Sequence, residues 1–293
     1  MSESTTQNYN HLKIHSQYSI CEGAIKIDDL KEFSKTNKIQ SLGLSDTTNL
    51  CGALEFAEKI SKVGTQPIIG TQINFKFSDT VGLLPLFALD EEGYKRIIKL
   101  SSFSFLNNDE LSEPHLDFNE LLEDTHGVAI LSGTIFGLFG QLFDKGKFTE
   151  IKDLYSKLKE KFGDRFYLEI QRHNDQNELS FEKFNLKKSL ELSIPLIATN
   201  EVFYLNKDMH EAHDALICIG SKTYINDKTR KRYSDQHYLK SNLEMAELFS
   251  DLPEALENNY NFPLRCNFRP LFSNPILPNI SSEKGGNADD ILR

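Results

Sequence analysis

The 293 residues include no tryptophan, three methionines, nine prolines and four cysteines. Cys21, Cys51, Cys218 and Cys266 stand far apart, none followed by a second ligand at C-x-x-C spacing. The sequence therefore suggests neither a zinc knuckle nor a disulfide framework, and we expect the thiols reduced and mostly buried. No stretch approaches the ~20 consecutive apolar residues of a membrane-spanning helix. The opening Met1–Asn10 has neither the basic nor the apolar region of a signal peptide. A cytoplasmic protein is expected. Positive charge is also short: 33 Lys+Arg face 43 Asp+Glu, for a net charge of −10. Such a surface repels nucleic acid, which excludes a protein whose whole exterior grips phosphate but leaves local basic patches allowed. What remains, 39% hydrophobic and 26% charged residues, describes an ordinary globular chain. Its length suits two small domains or one large sandwich or α/β barrel.

Short apolar runs alternate with longer amphipathic ones. Strands are predicted at His11–His15, Ser41–Ser45, Pro67–Phe75, Leu83–Leu89, Gly127–Ser132, Phe166–Gln171 and Pro195–Thr199, each bounded by turn-forming residues. Helices are predicted at Asp28–Asn37, Leu50–Val63, Glu91–Phe103, Phe148–Phe162 and Phe181–Leu192, where apolar residues recur at i, i+3, i+4. Such alternation implies an α/β fold with parallel strands and helices packed outside. No G-x-G-x-x-G follows the first strand, which removes the main support for a dinucleotide-binding open sheet and favours a barrel.

Past Tyr204 the texture changes. Helices at Met209–Ile219 and Leu243–Leu256 flank a polar, basic stretch, Lys222–Lys240. Its run Lys228, Arg230, Lys231, Arg232 reads first as a solvated loop and only second as a phosphate contact; Tyr233 and Tyr238 can pack on the barrel. Pro270, Pro275 and Pro278 then punctuate a segment with little to bury, so the compact unit should end near residue 268. The last six residues begin an amphipathic segment and stop, as a longer chain cut at a domain boundary would.

In a βα barrel, functional groups stand at the carboxyl ends of strands. Here those ends and their loops offer His15, Glu22, Asp46, Thr47, Gln72, His173, Asn200 and Glu201. A lone His or Asp in such a place is more often a turn or capping residue than a ligand, and Asp46 suits the entry of the following helix. The argument rests on convergence: imidazoles and carboxylates on one cleft are what metal-assisted phosphoester chemistry requires. Lys13 works against that, because an ammonium on the cleft floor puts positive charge where a cation would bind.

Several segments are similar to a known family. His11–Ser19, Cys21–Gly23, Leu44–Gly52, Pro67–Gly70, Glu91–Tyr94, Leu131–Gly133, Tyr167–Gln171, Ala198–Asn200, Ala212–Cys218 and Asp251–Ala255 resemble, in order and spacing, the opening of the bacterial replicative DNA polymerase III alpha-subunit family. The resemblance implies a polymerase-and-histidinol-phosphatase (PHP) domain, a distorted seven-stranded βα barrel that precedes palm, thumb and fingers. It assigns residues 1–8 to a disordered N-terminus, 9–268 to the domain and 269–293 to a linker toward the palm. Polymerase aspartates, with their Mg2+, would lie beyond residue 293, so this segment alone should not polymerise.

Metal-binding members carry His-x-His on the first strand, where this chain has Lys13-Ile14-His15. Their acidic loop ligand is matched by Glu22. Their Thr-Asp-His becomes Ser45-Asp46-Thr47, the third-strand glutamate becomes Gln72, and the fourth-strand histidine becomes an aliphatic residue near Leu83. Thr134 replaces a Cys or His, His173 matches a ligand position, and the closing Asp-x-His becomes Glu201-Val202-Phe203. The resemblance thus implies a vestigial cleft formed by Lys13, His15, Glu22, Asp46, Thr47, Gln72, His173, Asn200 and Glu201, with no bound metal and Lys13 paired to Glu22 or Asp46. It also implies a structural role and docking of a separate proofreading exonuclease (epsilon) subunit. Other replicase components, and DNA through the full-length chain, are further implied partners; no membrane is. The rival expectation is an active phosphoesterase or 3′–5′ exonuclease holding Zn2+ or Mn2+ with His15, Glu22, Asp46 and His173.

Overall fold

A computed structural model describes residues 9–108, 112–230 and 232–275. Strand β1 (Lys13–Ile14) is followed by α1 (Ile27–Asn37), β2 (Ser41–Thr47), α2 (Ala53–Ser61), β3 (Gln66–Phe77), β4 (Thr80–Ala88) and α3 (Glu91–Leu106). Next come β5 (Leu116–Asp117), α4 (Phe118–Glu123), β6 (Val128–Leu131), α5 (Leu138–Asp144) and α6 (Phe148–Phe162). Then follow β7 (Phe166–Ile170), α7 (Glu178–Leu192), β8 (Leu196–Ala198), β9 (Glu201–Val202), α8 (His210–Ser221), α9 (Asn242–Leu248) and α10 (Pro253–Asn261). The expected strands correspond to β1, β2, β3, β4, β6, β7 and β8.

One curled sheet runs β2-β3-β4-β6-β7-β8, with β5 beside β3, while β1 pairs with β9. That second pair closes the ring. β9 follows β8 after two residues, and β1 lies parallel to it with Lys13 opposite Glu201. On the other side of β1, the Gly43 N–H of β2 donates to the His11 carbonyl at 2.7 Å. A Cβ on Gly43 would stand 2.3 Å from the Leu12 carbonyl oxygen, so glycine is what lets the seam close. The result is a distorted βα barrel.

The expectation of uniformly parallel strands is corrected at β4, which runs antiparallel to both β3 and β6. Only Ser78 and Asp79 separate β3 from β4, with Ser78 in the left-handed region at φ 56°. Two residues make a hairpin and cannot hold the crossover that a parallel neighbour needs. The helix expected over Leu243–Leu256 is two, because Pro253 has no N–H to continue a helix and instead begins α10. The cysteines are free, but only Cys218 and Cys266 are buried; Cys51 is exposed and Cys21 partly so. Among the described residues, no helix is long and apolar enough to cross a membrane.

Two-residue periodicity sorts the interior into layers. Leu12, Ile68, Phe87, Ala129, Leu131, Tyr167 and Ile197 form one buried cluster at the closed end, covered by Phe262 and Cys266. Two or four residues further along the same strands stand Gln72, Glu169 and Thr199, all buried. The barrel thus passes from an apolar floor to a polar mouth. Outside it, α6 buries Ile151, Leu154, Tyr155, Leu158 and Phe162, one stripe at helical spacing; each such side chain contributes roughly 1.5–3 kcal/mol. The Asn267 N–H donates to Leu89 O at 2.8 Å, and Phe268 packs on Tyr94 with ring centroids 5.2 Å apart. Residues 269–275 follow without regular structure. The expected N-terminal tail, 1–8, and residues 276–293 of the expected linker lie outside the described residues.

Candidate functional site

Lys13 is fully buried at the centre of the mouth. Its Nζ contacts Glu201 Oε2 and lies 3.1 Å from Glu169 Oε1. The expected partners, Glu22 and Asp46, are therefore corrected. Strand register decides the matter: β1 beside β9 sets Lys13 opposite Glu201, and Glu169 projects from β7 on the inward side. Burial disfavours the ammonium, but the two carboxylates outweigh it and raise the Lys13 pKa. Burial likewise opposes ionisation of Glu201, yet Lys13 and His15 hold its pKa well below the carboxylate range. Glu169 is pushed up by burial, only partly offset by Lys13. Thr199 Oγ1 and, at 2.7 Å, Gln171 Nε2 donate to Glu169 Oε1.

The same Glu201 holds His15, whose Nε2 contacts Oε1, while Gln72 Nε2 also donates to that oxygen. Burial works against a charged His15, but Glu201 overcomes it and raises its pKa. On the ring's other edge, Nδ1 lies 3.2 Å from Ser19 Oγ and 3.3 Å from Thr47 Oγ1. Thr47 in turn donates to Glu22, at the rim. Asp46 stands apart from this set: Oδ1 accepts the Ser16 N–H at 2.7 Å and the Ser19 hydroxyl at 2.8 Å, and Oδ2 accepts the Ser16 hydroxyl at 2.8 Å. It ties the loop after β1 rather than capping α2, which begins after Gly52.

His173 belongs to a second group. Its Nε2 lies 3.0 Å from Asn200 Oδ1, and its Nδ1 3.2 Å from Glu178 Oε1. Its ring stacks on His237 with centroids 4.0 Å apart and planes 5° apart. His237 Nδ1 donates to the Glu201 carbonyl at 3.1 Å, and its Nε2 lies 3.0 Å from Asp175 Oδ2. Burial pushes both imidazoles down to about 4, so both are neutral at pH 7. Glu178 is pushed up to about 7, chiefly by burial and then by Asp175. One potential ligand atom from each of His173, Asp175 and His237 lies within 4.8 Å of the others. Sequence reasoning named His173 and missed Asp175 and His237. Asp175 carried a signal, two residues beyond His173 after a buried strand; His237 lies in an irregular loop without one.

Asp175, Glu178 and His237 line the same cleft as His15, Glu22, Gln72 and Glu201, a small cavity walled by Phe136, Phe203 and Tyr233. Residues 11–173 match the family described as PHP domain. The chain belongs to the PHP domain family. It is 40% identical over 284 residues to the DNA polymerase III subunit alpha of Rickettsia conorii, covering 97% of this chain and 24% of the relative. The corresponding protein of Caulobacter vibrioides is 35% identical over 305 residues, covering 100% of this chain and 26% of the relative. The chain thus spans about a quarter of the length of these relatives and corresponds to their N-terminal part. A solved two-domain protein from Bacteroides vulgatus containing a predicted PHP-like metal-dependent phosphoesterase matches with TM-score 0.41 at 10% identity, covering 81% of this chain and 62% of that one.

Imidazoles and carboxylates converge on the mouth of this barrel, and these are donor types that hold metals, so the mouth is tested against an ion. At Lys13 it does not fit one. The ammonium already sits between Glu169 and Glu201, where a cation would bind, and Leu83, Thr134 and Phe203, none of them a strong ligand, line the cleft. His173 with Asp175 and His237 forms a separate His/Asp cluster whose donor types do suit a metal. In the basic loop, Arg230 makes a two-pronged pair with Asp214 at 2.5 and 2.6 Å, and Arg232 approaches the same carboxylate at 3.6 Å. Lys231 lies outside the described residues. Tyr233 is buried against Phe203 and Phe136.

Proposed function

We propose that this PHP domain is a scaffold and docking module at the N-terminus of a replicative DNA polymerase alpha subunit, with a vestigial metal centre taken over by Lys13. The observation that carries the reading is the buried Lys13 ammonium between Glu169 and Glu201. A fixed charge there supports the barrel as a bound ion would, without activating water. Template-directed DNA synthesis, with Mg2+, belongs on this reading to palm, thumb and fingers further along a cytoplasmic chain. The domain's face receives the proofreading exonuclease subunit and other replicase components. Incubation of the 293-residue chain with a phosphate monoester and single-stranded DNA, with Zn2+ or Mn2+ supplied, should give no hydrolysis. Cleavage that disappears in His15→Gln would overturn the reading. Retention of the exonuclease subunit on the immobilised chain tests the docking half, and no binding at high micromolar concentration would count against it.

A second reading, a metal-dependent phosphoesterase or 3′–5′ exonuclease, draws support from the His173, Asp175 and His237 cluster in the same cleft. It predicts cleavage that survives His15→Gln and is lost in His237→Gln.

A further inference from the structure

A folded chain leaves few large apolar side chains together in water, and where it does so the patch marks a contact surface. Ile20, Ile219, Tyr224 and Ile225 are exposed at 85%, 71%, 84% and 60%. They are not scattered. A Cβ on Gly220 would stand 2.5 Å from the Cys21 Cβ, so the loop after β1 lies directly against the last turn of α8 and sets Ile20 beside Ile219. His213, earlier on α8, pins the same loop by donating from Nε2 to the Glu22 carbonyl at 2.8 Å. The segment beyond α8 is equally fixed. Lys222 turns left-handed at φ 55°, the Asp227 N–H donates to Tyr224 O at 2.9 Å, and Arg230 Nε donates to Ile225 O at 3.3 Å. Arg230 is itself held by Asp214, so Tyr224 and Ile225 are presented outward by a turn with its own hydrogen bonds. On its other side Ile20 lines an open groove with Tyr18 and Phe105.

We propose that this surface docks a partner polypeptide through an acidic segment that carries aliphatic or aromatic side chains. The proposal deepens the docking half of the scaffold reading and rests on its claim that the domain receives a partner; it adds the face and the chemistry of what is received. Charge decides the partner's polarity. In a chain of net charge −10, Lys222 to Arg232 holds five basic residues against one acid, Asp227. Lys222, Lys228 and Arg232 are exposed, while Asp227 is engaged by the Thr229 N–H and hydroxyl at 2.8 and 2.7 Å. A segment of opposite charge is steered to this edge, and a basic one is repelled. Glu22 lines the groove at the other end, so the acidic part of the segment lies at Lys228 and its apolar part runs toward Phe105. A nucleic-acid backbone would meet the same cations but leave Ile20, Ile219 and Ile225 in water. A groove takes up side chains, which a bilayer surface does not offer.

Selection of short displayed peptides on the immobilised 293-residue chain, followed by fluorescence anisotropy of those selected, tests the surface. Expected is a consensus with Asp or Glu among Leu, Ile or Phe. Tyr224→Ser with Ile225→Ser should weaken these peptides at least about tenfold, the loss that central anchors of an interface carry. Lys228→Ser with Arg232→Ser should weaken them severalfold and flatten the salt dependence. Thermal unfolding of both variants should match that of the parent, since all four side chains are exposed. A consensus without acidic residues, or binding unchanged in both variants, overturns the proposal. So does tighter binding of oligothymidylate or of phosphatidylglycerol vesicles through the same four residues. Retention of the exonuclease subunit judges the docking reading apart from this face: retention that both variants keep leaves docking standing and overturns the face, whereas peptide binding without retention keeps the face and overturns the exonuclease as its partner.

Discussion

The floor and the wall of one cleft handle the same problem differently. On the floor, Lys13 and His15 meet Glu169 and Glu201 through short contacts made entirely by the chain. On the wall, His237 Nε2 lies 3.0 Å from Asp175 Oδ2, and the Glu178 carboxylate accepts the backbone N–H groups of His173 and Asp175 that hold the loop. A buried carboxylate needs either a positive partner or donors that satisfy its oxygens. The contrast teaches that one barrel can meet buried carboxylates with a built-in ammonium at one point and with an imidazole and backbone N–H groups at its neighbour.

The largest expected effect strikes the floor. Lys13→Met strips Glu169 of its ammonium and leaves Glu201 with His15 alone, and should cost about 3–5 kcal/mol, read by urea denaturation. Adding Glu169→Gln and Glu201→Gln should recover much of that loss, because the set is then neutral. A nearly neutral Lys13→Met alone would break the comparison. Gly43→Ala attacks the seam beside β1 instead, with an expected cost of about 1–3 kcal/mol from overpacking against Leu12. It should leave the stacked His173 and His237 resonances in place.

His15 sharpens the contrast by titration. Its folded pKa is raised, so its proton contributes stability that is fully present below the ordinary value near 6.5 and is lost as pH rises through the folded value. Histidine NMR should therefore show His15 titrating above that ordinary value, and Glu201→Gln should move it down. The smallest effect belongs outside the cleft: Arg232→Ala, on a side chain 60% exposed, should change stability by no more than about 0.5 kcal/mol.

Much of the barrel was legible because buried strands advertise themselves as short apolar runs between turn residues, as Val128–Leu131 and Leu196–Ala198 do. The direction of β4 was not, since periodicity carries no polarity; the two-residue gap at Ser78 and Asp79 was the available sign. Lys13 was expected to stand in for a cation, but its partners depend on register across 188 residues, from Lys13 to Glu201. Glu169 had a readable mark, a carboxylate inside the buried strand Phe166–Ile170. His237 had none, since the Tyr204–Tyr238 bridge and the Phe203 N–H to His237 O bond that seat its loop are long-range contacts.

The two-residue strand that completes the ring also delivers its positive charge. Ring closure and neutralisation of the acidic interior are consequently a single event, and the segment that leaves the ribosome early finds its seat only after β9 has been made. A chain stalled before Glu201 would hold a lysine with half its counterpart missing, which makes the last stitch of this fold also its electrostatic proofreading.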